Sequence, residues 1–212
     1  MSEAPFDTLN LGRLTADDPA HVAENRLRLC TEVGADPEEL RYGRQQHGHV
    51  VRRAQNRGHP GDGLWTDTRG EPLLVFTADC LPIVIARADG ERPAIAALHV
   101  GRRGLLQGII GAGAAALGPT APLAAVIGPG IGPCCYEVGE EVAQPFRERF
   151  GNGIVNNQHL DLWSAAEQAL REAGVTKVAR LDLCTACNPG LFFSHRRDGA
   201  HTGRQGLIAY VT

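Results

Sequence analysis

The stretch from Pro72 to Ile85 constrains this chain most. Leu73-Leu74-Val75-Phe76 and Leu81-Pro82-Ile83-Val84-Ile85 have the apolar, β-branched character of strands buried on both faces. Between them stands Thr77-Ala78-Asp79-Cys80, which places an acid and a thiol inside a hydrophobic run. Local patterning of this kind fails where a site demands it. The next apolar run, Ala94 to Leu98, ends in the same manner in His99-Val100-Gly101-Arg102-Arg103-Gly104. Two neighbouring strands therefore each lead to a side chain able to ligate a metal or attack a substrate.

The rest of the chain sets wide bounds. Its 212 residues fit one domain, 1–212, with a core large enough to stand without disulfides. The formal net charge of −3 leaves no basic footprint for nucleic acid. No apolar run reaches the length of a membrane span, and Met1 to Phe6 lacks the pattern of a secretory signal, so a cytoplasmic protein is expected. Its six cysteines are then read as reduced thiols.

Several elements carry start and stop signals. Asp18-Pro19 caps a helix that Gly34 closes, and Asp161 opens an amphipathic helix ending at Gly174. Residues 44–51 read as a strand edge with His47 and His49 on one face. Residues 54–63 read as an exposed loop. Residues 103–117 read as one helix, and its many glycines call for close approach to another backbone. A final hairpin is expected to carry Arg196, Arg197 and Arg204. Without a βαβ rhythm, the fold class is α+β, a layered mixed-sheet domain.

His47, Cys80 and His99 all fall at strand ends. Imidazole and thiolate suit zinc, and three protein ligands leave the fourth position open, as catalytic sites require. The plainer alternative is a core cysteine with two hydrogen-bonded histidines. Cys80 and His99 also suit a thiol nucleophile and its base, with Asp62 or Asp79 orienting a histidine. Cys184-x-x-Cys187 needs two more ligands to form a metal site, and Cys134 and Cys135 supply them only if the fold brings them near; unlinked thiols are the default. Gly128-Pro129-Gly130-Ile131-Gly132 lacks the pattern of a phosphate loop and reads as a shaped turn.

Together the motifs resemble the laccase-domain family, the YfiH-type "multicopper polyphenol oxidase" proteins. The matching segments, in family order, are Glu24-Asn25-Arg26, Gln45-Gln46-His47-Gly48, Thr77-Ala78-Asp79-Cys80, His99 to Gly104, Ile127-Gly128-Pro129, Cys135-Tyr136-Glu137-Val138-Gly139, Cys184-Thr185, Phe192 to Asp198, and Thr202-Gly203-Arg204. The resemblance implies a layered domain like that of the cytotoxic-necrotizing-factor cysteine hydrolases. It implies zinc on His47, Cys80 and His99, phosphorolysis of adenosine, inosine and methylthioadenosine, and adenosine deamination. Arg44, Gln45, Arg103 and Arg197 are then candidates for holding substrate or phosphate, and Asp62 and Asp79 for supporting or carrying a proton. The family's usual tryptophan is replaced by Arg102, and its N-terminal segment with a Gly-Gly-Val-Ser-like turn is expected to be missing; both bear on substrate choice.

Three rival functions follow from the same family likeness. One is an amidase that releases L-serine from a nucleotide-linked peptidoglycan precursor. Another is copper-dependent phenol oxidation, for which eight scattered histidines are few. The third is a nucleoside-binding module without catalysis.

Overall fold

The computed structural model describes residues 1–55, 57–87, 92–118 and 120–212. Helix α1 (Pro19–Val33) is followed by β1 (Val51–Arg53), β2 (Gly63–Thr66), β3 (Leu73–Thr77), β4 (Leu81–Arg87) and β5 (Ile95–Val100). Then come α2 (Arg102–Leu106), α3 (Ile109–Ala116), β6 (Leu123–Ile127) and α4 (Glu140–Phe150). The short strands β7 (Val155–Asn156) and β8 (His159–Leu160) precede α5 (Leu162–Glu172), β9 (Val175–Arg180), α6 (His195–Asp198) and β10 (Gln205–Ala209).

A six-stranded sheet runs β1-β2-β5-β4-β6-β9, parallel at its two outer pairs and antiparallel within. The separate ribbon β3–β10 is antiparallel, and β7–β8 form a small third pair. The apolar run at 72–85 is therefore two strands in two different sheets, joined by the turn at residues 78–80. Alternation explains why β3 is apolar from Leu73 to Phe76. Leu73 and Val75 pack with Leu64, Ile95 and Ala97 of the large sheet, whereas Leu74 meets Leu11, Cys30 and Leu40 beside α1. On the sheet's other face, Ile83, Ile85 and Leu98 pack against Ile109, Ile110, Phe146 and Leu170 of the remaining helices. The layers run α1, ribbon, six-stranded sheet, helices: the layered mixed-sheet arrangement expected from the sequence.

Local signals account for many boundaries. Asp18 Oδ1 accepts from the Ala20 amide, Pro19 follows, and Gly34 closes α1 in a left-handed turn. Asp161 caps α5 through the Ser164 amide.

Elsewhere the sequence expectations need correction. Residues 44–50 form no strand edge, because His47 adopts a left-handed backbone (φ 58°). His47 and His49 diverge in consequence, and His49 meets Gln107. The 54–63 loop, whose residue 56 lies outside the described residues, ends not in solvent but at buried Asp62. The single helix expected over 103–117 breaks at Gly108 (φ 87°) into α2 and α3. Its close approach is real: a Cβ on Gly104 would lie 2.5 Å from the Gly48 carbonyl oxygen. Arg196 and Arg197 sit on α6 rather than on a hairpin, since β10 pairs with the distant β3. Among the described residues no helix is long and apolar enough to cross a membrane.

Candidate active site

Strand register builds the site. In the β4–β5 pair Leu81 opposes Val100 and Pro82 opposes His99, which sets the turn residue Cys80 beside Gly101. A Cβ on Gly101 would stand 2.9 Å from Cys80 Sγ and 3.2 Å from His47 Cδ2, so only glycine leaves room for both groups. In the β2–β5 pair Gly63 opposes Leu98, which brings Asp62 level with His99. The His99 amide accordingly donates to the Asp62 carbonyl at 2.7 Å.

Asp62 is the organising carboxylate. It is 2% exposed, and its Oδ1 lies 2.8 Å from His99 Nδ1. The amides of Gln46, His47 and Gly48 donate to the same group at 2.8–3.0 Å. One buried anion thus folds the loop that carries His47 and orients the ring of His99. Its contacts also meet the requirement that a buried charge be fully partnered. Burial alone would raise its pKa, but the His99 ring and the Gly48 and Gln46 amides outweigh burial and hold it below the ordinary value.

His47, Cys80 and His99 converge, with ligand atoms within 4.8 Å of one another. The two imidazoles meet edge to face at 4.9 Å between centroids. Burial would raise the Cys80 pKa, yet the facing His99 charge and a hydrogen bond from His47 bring it down to about 6. Burial would lower the pKa of His99, but Cys80 and Asp62 raise it to about 9. Both shifts favour a thiolate facing an imidazolium when no metal is bound.

Zinc fits this donor set. Tetrahedral Zn–N and Zn–S bonds of about 2.0 and 2.3 Å place the donor atoms about 3.5 Å apart, a spacing compatible with the observed cluster. With Nδ1 of His99 held by Asp62, Nε2 is the ring atom left to ligate, as in metal sites with a carboxylate behind the histidine. Two imidazoles and a thiolate also suit copper.

Asp79 supports the turn. Its φ of 95° is strained for a non-glycine residue. Its carboxylate accepts from Thr185 Oγ1, Ser194 Oγ and the Arg196 amide, each at 2.7 Å. These contacts lock the backbone that presents Cys80.

The cluster opens into a cavity of about 920 Å³. Arg44 and Arg103 line it, and among the described residues neither guanidinium has a hydrogen-bonding or ion-pair partner. Arg102, Arg196 and Arg204 line it as well. Two expected substrate contacts already have partners within the protein. Gln45 reaches the cavity wall, but its amide exchanges two hydrogen bonds with the Phe76 backbone, at 2.7 and 2.8 Å, and so extends the edge of β3. Arg197 does not line the cavity: it donates to the carbonyls of Thr185, Ala186 and Phe192 and pairs with Asp198. The Gly128–Gly132 turn does not cradle phosphate, because the amides of Gly128, Gly130 and Ile131 donate to Pro82, Leu183 and Asp79 carbonyls.

Arg26, present in the sequence motif Glu24-Asn25-Arg26 but given no role there, is buried, donates twice to the Leu11 carbonyl and lies over Tyr42 and Phe76 at 4.6 and 4.8 Å. It braces one aromatic wall of the cavity. A long cation on the inner side of an otherwise amphipathic α1 was the available signal.

Comparison with known proteins agrees with this architecture. The whole chain, residues 1–212, matches the family model described as multi-copper polyphenol oxidoreductase laccase. A Xylella fastidiosa protein named purine nucleoside phosphorylase is 38% identical across the entire chain and 88% of its own length. The Escherichia coli K12 protein named purine nucleoside phosphorylase YfiH is 34% identical, over all of this chain and 89% of that one. Among solved structures, Bacillus licheniformis YfiH superposes with a TM-score of 0.92 at 27% identity, covering 100% of this chain and 88% of its own. Geobacillus stearothermophilus YlmD gives 0.87 at 32% identity, with the same coverage. The chain belongs to the multi-copper polyphenol oxidoreductase laccase family, alongside the YfiH proteins.

Proposed function

We propose that this protein is a zinc-dependent purine nucleoside phosphorylase acting on adenosine, inosine and methylthioadenosine. The observation that carries the reading is the convergence of His47, Cys80 and His99 on a cavity lined by arginines and aromatic rings. The names of the relatives support the substrate class. His47, Cys80 and His99 would hold the zinc ion, which would supply a Lewis acid at the cavity wall.

In phosphorolysis a phosphate oxygen forms a bond to ribose C1′ as the bond from C1′ to the purine nitrogen breaks, and that electron pair leaves with the base. Arg44 and Arg103 offer guanidinium forks suited to the phosphate. Tyr42, Phe76 and Tyr136 offer rings against which a purine can stack. Asp62 keeps His99 and the His47 loop in place throughout.

The test is release of base from each nucleoside with and without phosphate. Phosphate-dependent release that disappears on chelation supports the proposal; no product in either condition from metal-loaded protein removes it. Hypoxanthine-containing products from adenosine would add the deaminase activity.

A second reading rests on the unbroken contact between Cys80, His99 and Asp62, an arrangement also suited to a thiol hydrolase. It corresponds to the amidase acting on a nucleotide-linked peptidoglycan precursor. Serine release that survives chelation and is abolished by alkylating Cys80 would favour it. Elemental analysis separates zinc from copper.

A further inference from the structure

Cys184 and Cys187 are free thiols, as expected, but they do not stand alone. Cys134, Cys135, Cys184 and Cys187 lie with all four sulfurs within 4.8 Å of one another, in a cluster separate from His47, Cys80 and His99. We propose that these four cysteines form a second metal site, a closed four-thiolate site for zinc that clips together the two turns behind the active-site wall.

Topology creates the cluster. Strands β6 and β9 are parallel neighbours, so the turns that follow them leave the same end of the sheet. The turn after β6 carries Cys134-Cys135, and the segment after β9 carries Cys184-Thr185-Ala186-Cys187. A bridge between Gly130 and Cys184 holds the two side by side, with the Thr185 amide donating to the Gly130 carbonyl at 3.1 Å. Asn188 then closes the second turn onto the Cys184 carbonyl at 2.8 Å.

The sulfur geometry favours an ion over a disulfide. Tetrahedral zinc with bonds of about 2.3 Å sets its sulfurs about 3.8 Å apart. Cys187 Sγ lies 3.4 Å from Cys134 Sγ and 3.3 Å from Cys135 Sγ. One sulfur nearly equidistant from two others fits a shared central ion that draws them slightly apart, whereas a disulfide selects a single pair, and all four cysteines are free. The Gly132 amide points at Cys184 Sγ from 3.3 Å, a contact suited to a thiolate. Cys184 is buried, while Cys134 and Cys187 are exposed, which gives the ion an entry path. With four protein sulfurs no coordination position remains open, so the site is structural rather than catalytic.

Its reach extends to the cavity. Thr185, between the two cysteines of the second turn, donates to Asp79, which holds the Cys80 turn. Tyr136, directly after Cys135, lines the cavity. Arg197 grips the Thr185 and Ala186 carbonyls from α6. The clip therefore joins the segments that support Asp79 and present Tyr136.

The site is tested apart from the first one in a Cys80→Ser background, purified anaerobically. Expected are one equivalent of zinc per chain by elemental analysis, intense visible bands of tetrahedral cobalt–thiolate on cobalt exchange, and loss of both in Cys80→Ser/Cys184→Ser. Cys80→Ser/Cys134→Ser, which alters only an exposed sulfur, guards against misfolding: it should stay folded and lose the four-sulfur cobalt spectrum. Metal-free Cys80→Ser protein, absence of the cobalt bands, or a mass showing a disulfide within the cluster would overturn the proposal.

Discussion

Asp62 Oδ1 and His99 Nδ1 face each other at 2.8 Å in the interior, and the same carboxylate gathers the amides of residues 46–48. A single side chain thereby fixes two of the three groups that meet Cys80. Asp62→Asn should keep the shape but lose the charge that balances His99. The expected result is metal affinity lower by about 10- to 100-fold, the usual effect of losing a partner behind a ligand. Unfolding free energy should fall by about 3 kcal/mol, measured by denaturant titration.

Gly101→Ala tests the packing that lets the cluster form. The added methyl would come within 2.9 Å of Cys80 Sγ and 3.2 Å of His47 Cδ2. Neither neighbour can withdraw without leaving the cluster. The variant should fold with a loss of about 1–3 kcal/mol, typical of overpacking, and should bind little metal at this site. Wild-type metal content would show that the cluster tolerates displacement.

The fold was partly legible because its strongest signals are local. The Asp18-Pro19 start and Gly34 stop of α1 need only neighbouring residues, and the apolar run around Asp79-Cys80 announced strands buried on both faces. That the run serves two different sheets depends on β10, which pairs with β3 from the far end of the chain. Long-range contacts also decide which polar residues face the cavity. Gln45 matches a substrate contact in sequence, yet it pairs with the Phe76 backbone; Arg197 matches a phosphate ligand, yet three carbonyls and Asp198 occupy it. The four-cysteine cluster was legible only as a condition for the same reason: Cys134 and Cys135 could be named as partners of Cys184 and Cys187, but nothing near them signals that β9 runs parallel to β6.

Arg44 and Arg103 separate binding of phosphate from binding of nucleoside. If they hold phosphate, Arg44→Ala or Arg103→Ala should raise the KM for phosphate about tenfold, equivalent to about 1.4 kcal/mol, and leave the KM for inosine unchanged. Steady-state kinetics with each substrate varied in turn supplies the readout. Equal effects on both constants would point to a general disturbance of the cavity.

The metal-free protein should reveal its thiolate by pH. The Cys80 pKa is depressed to about 6, so the thiolate persists above that pH and is lost as pH falls through it. His99, raised to about 9, keeps its proton across the same interval and loses it only at higher pH. Iodoacetamide labelling of the Cys80 peptide, followed by mass spectrometry, should reach half its maximal rate near pH 6. In His99→Gln that midpoint should move upward, toward an ordinary thiol. An unshifted midpoint would deny that His99 sets the state of Cys80.

The most direct test of the metal centre is the difference in zinc content between wild-type protein and Cys80→Ser, both purified without added metal. Removing the thiolate should lower the content by one zinc per chain and leave the zinc assigned to Cys134, Cys135, Cys184 and Cys187 in place. Equal zinc in the two proteins would mean that His47, Cys80 and His99 do not share an ion, and the proposed zinc-dependent chemistry would fall with them.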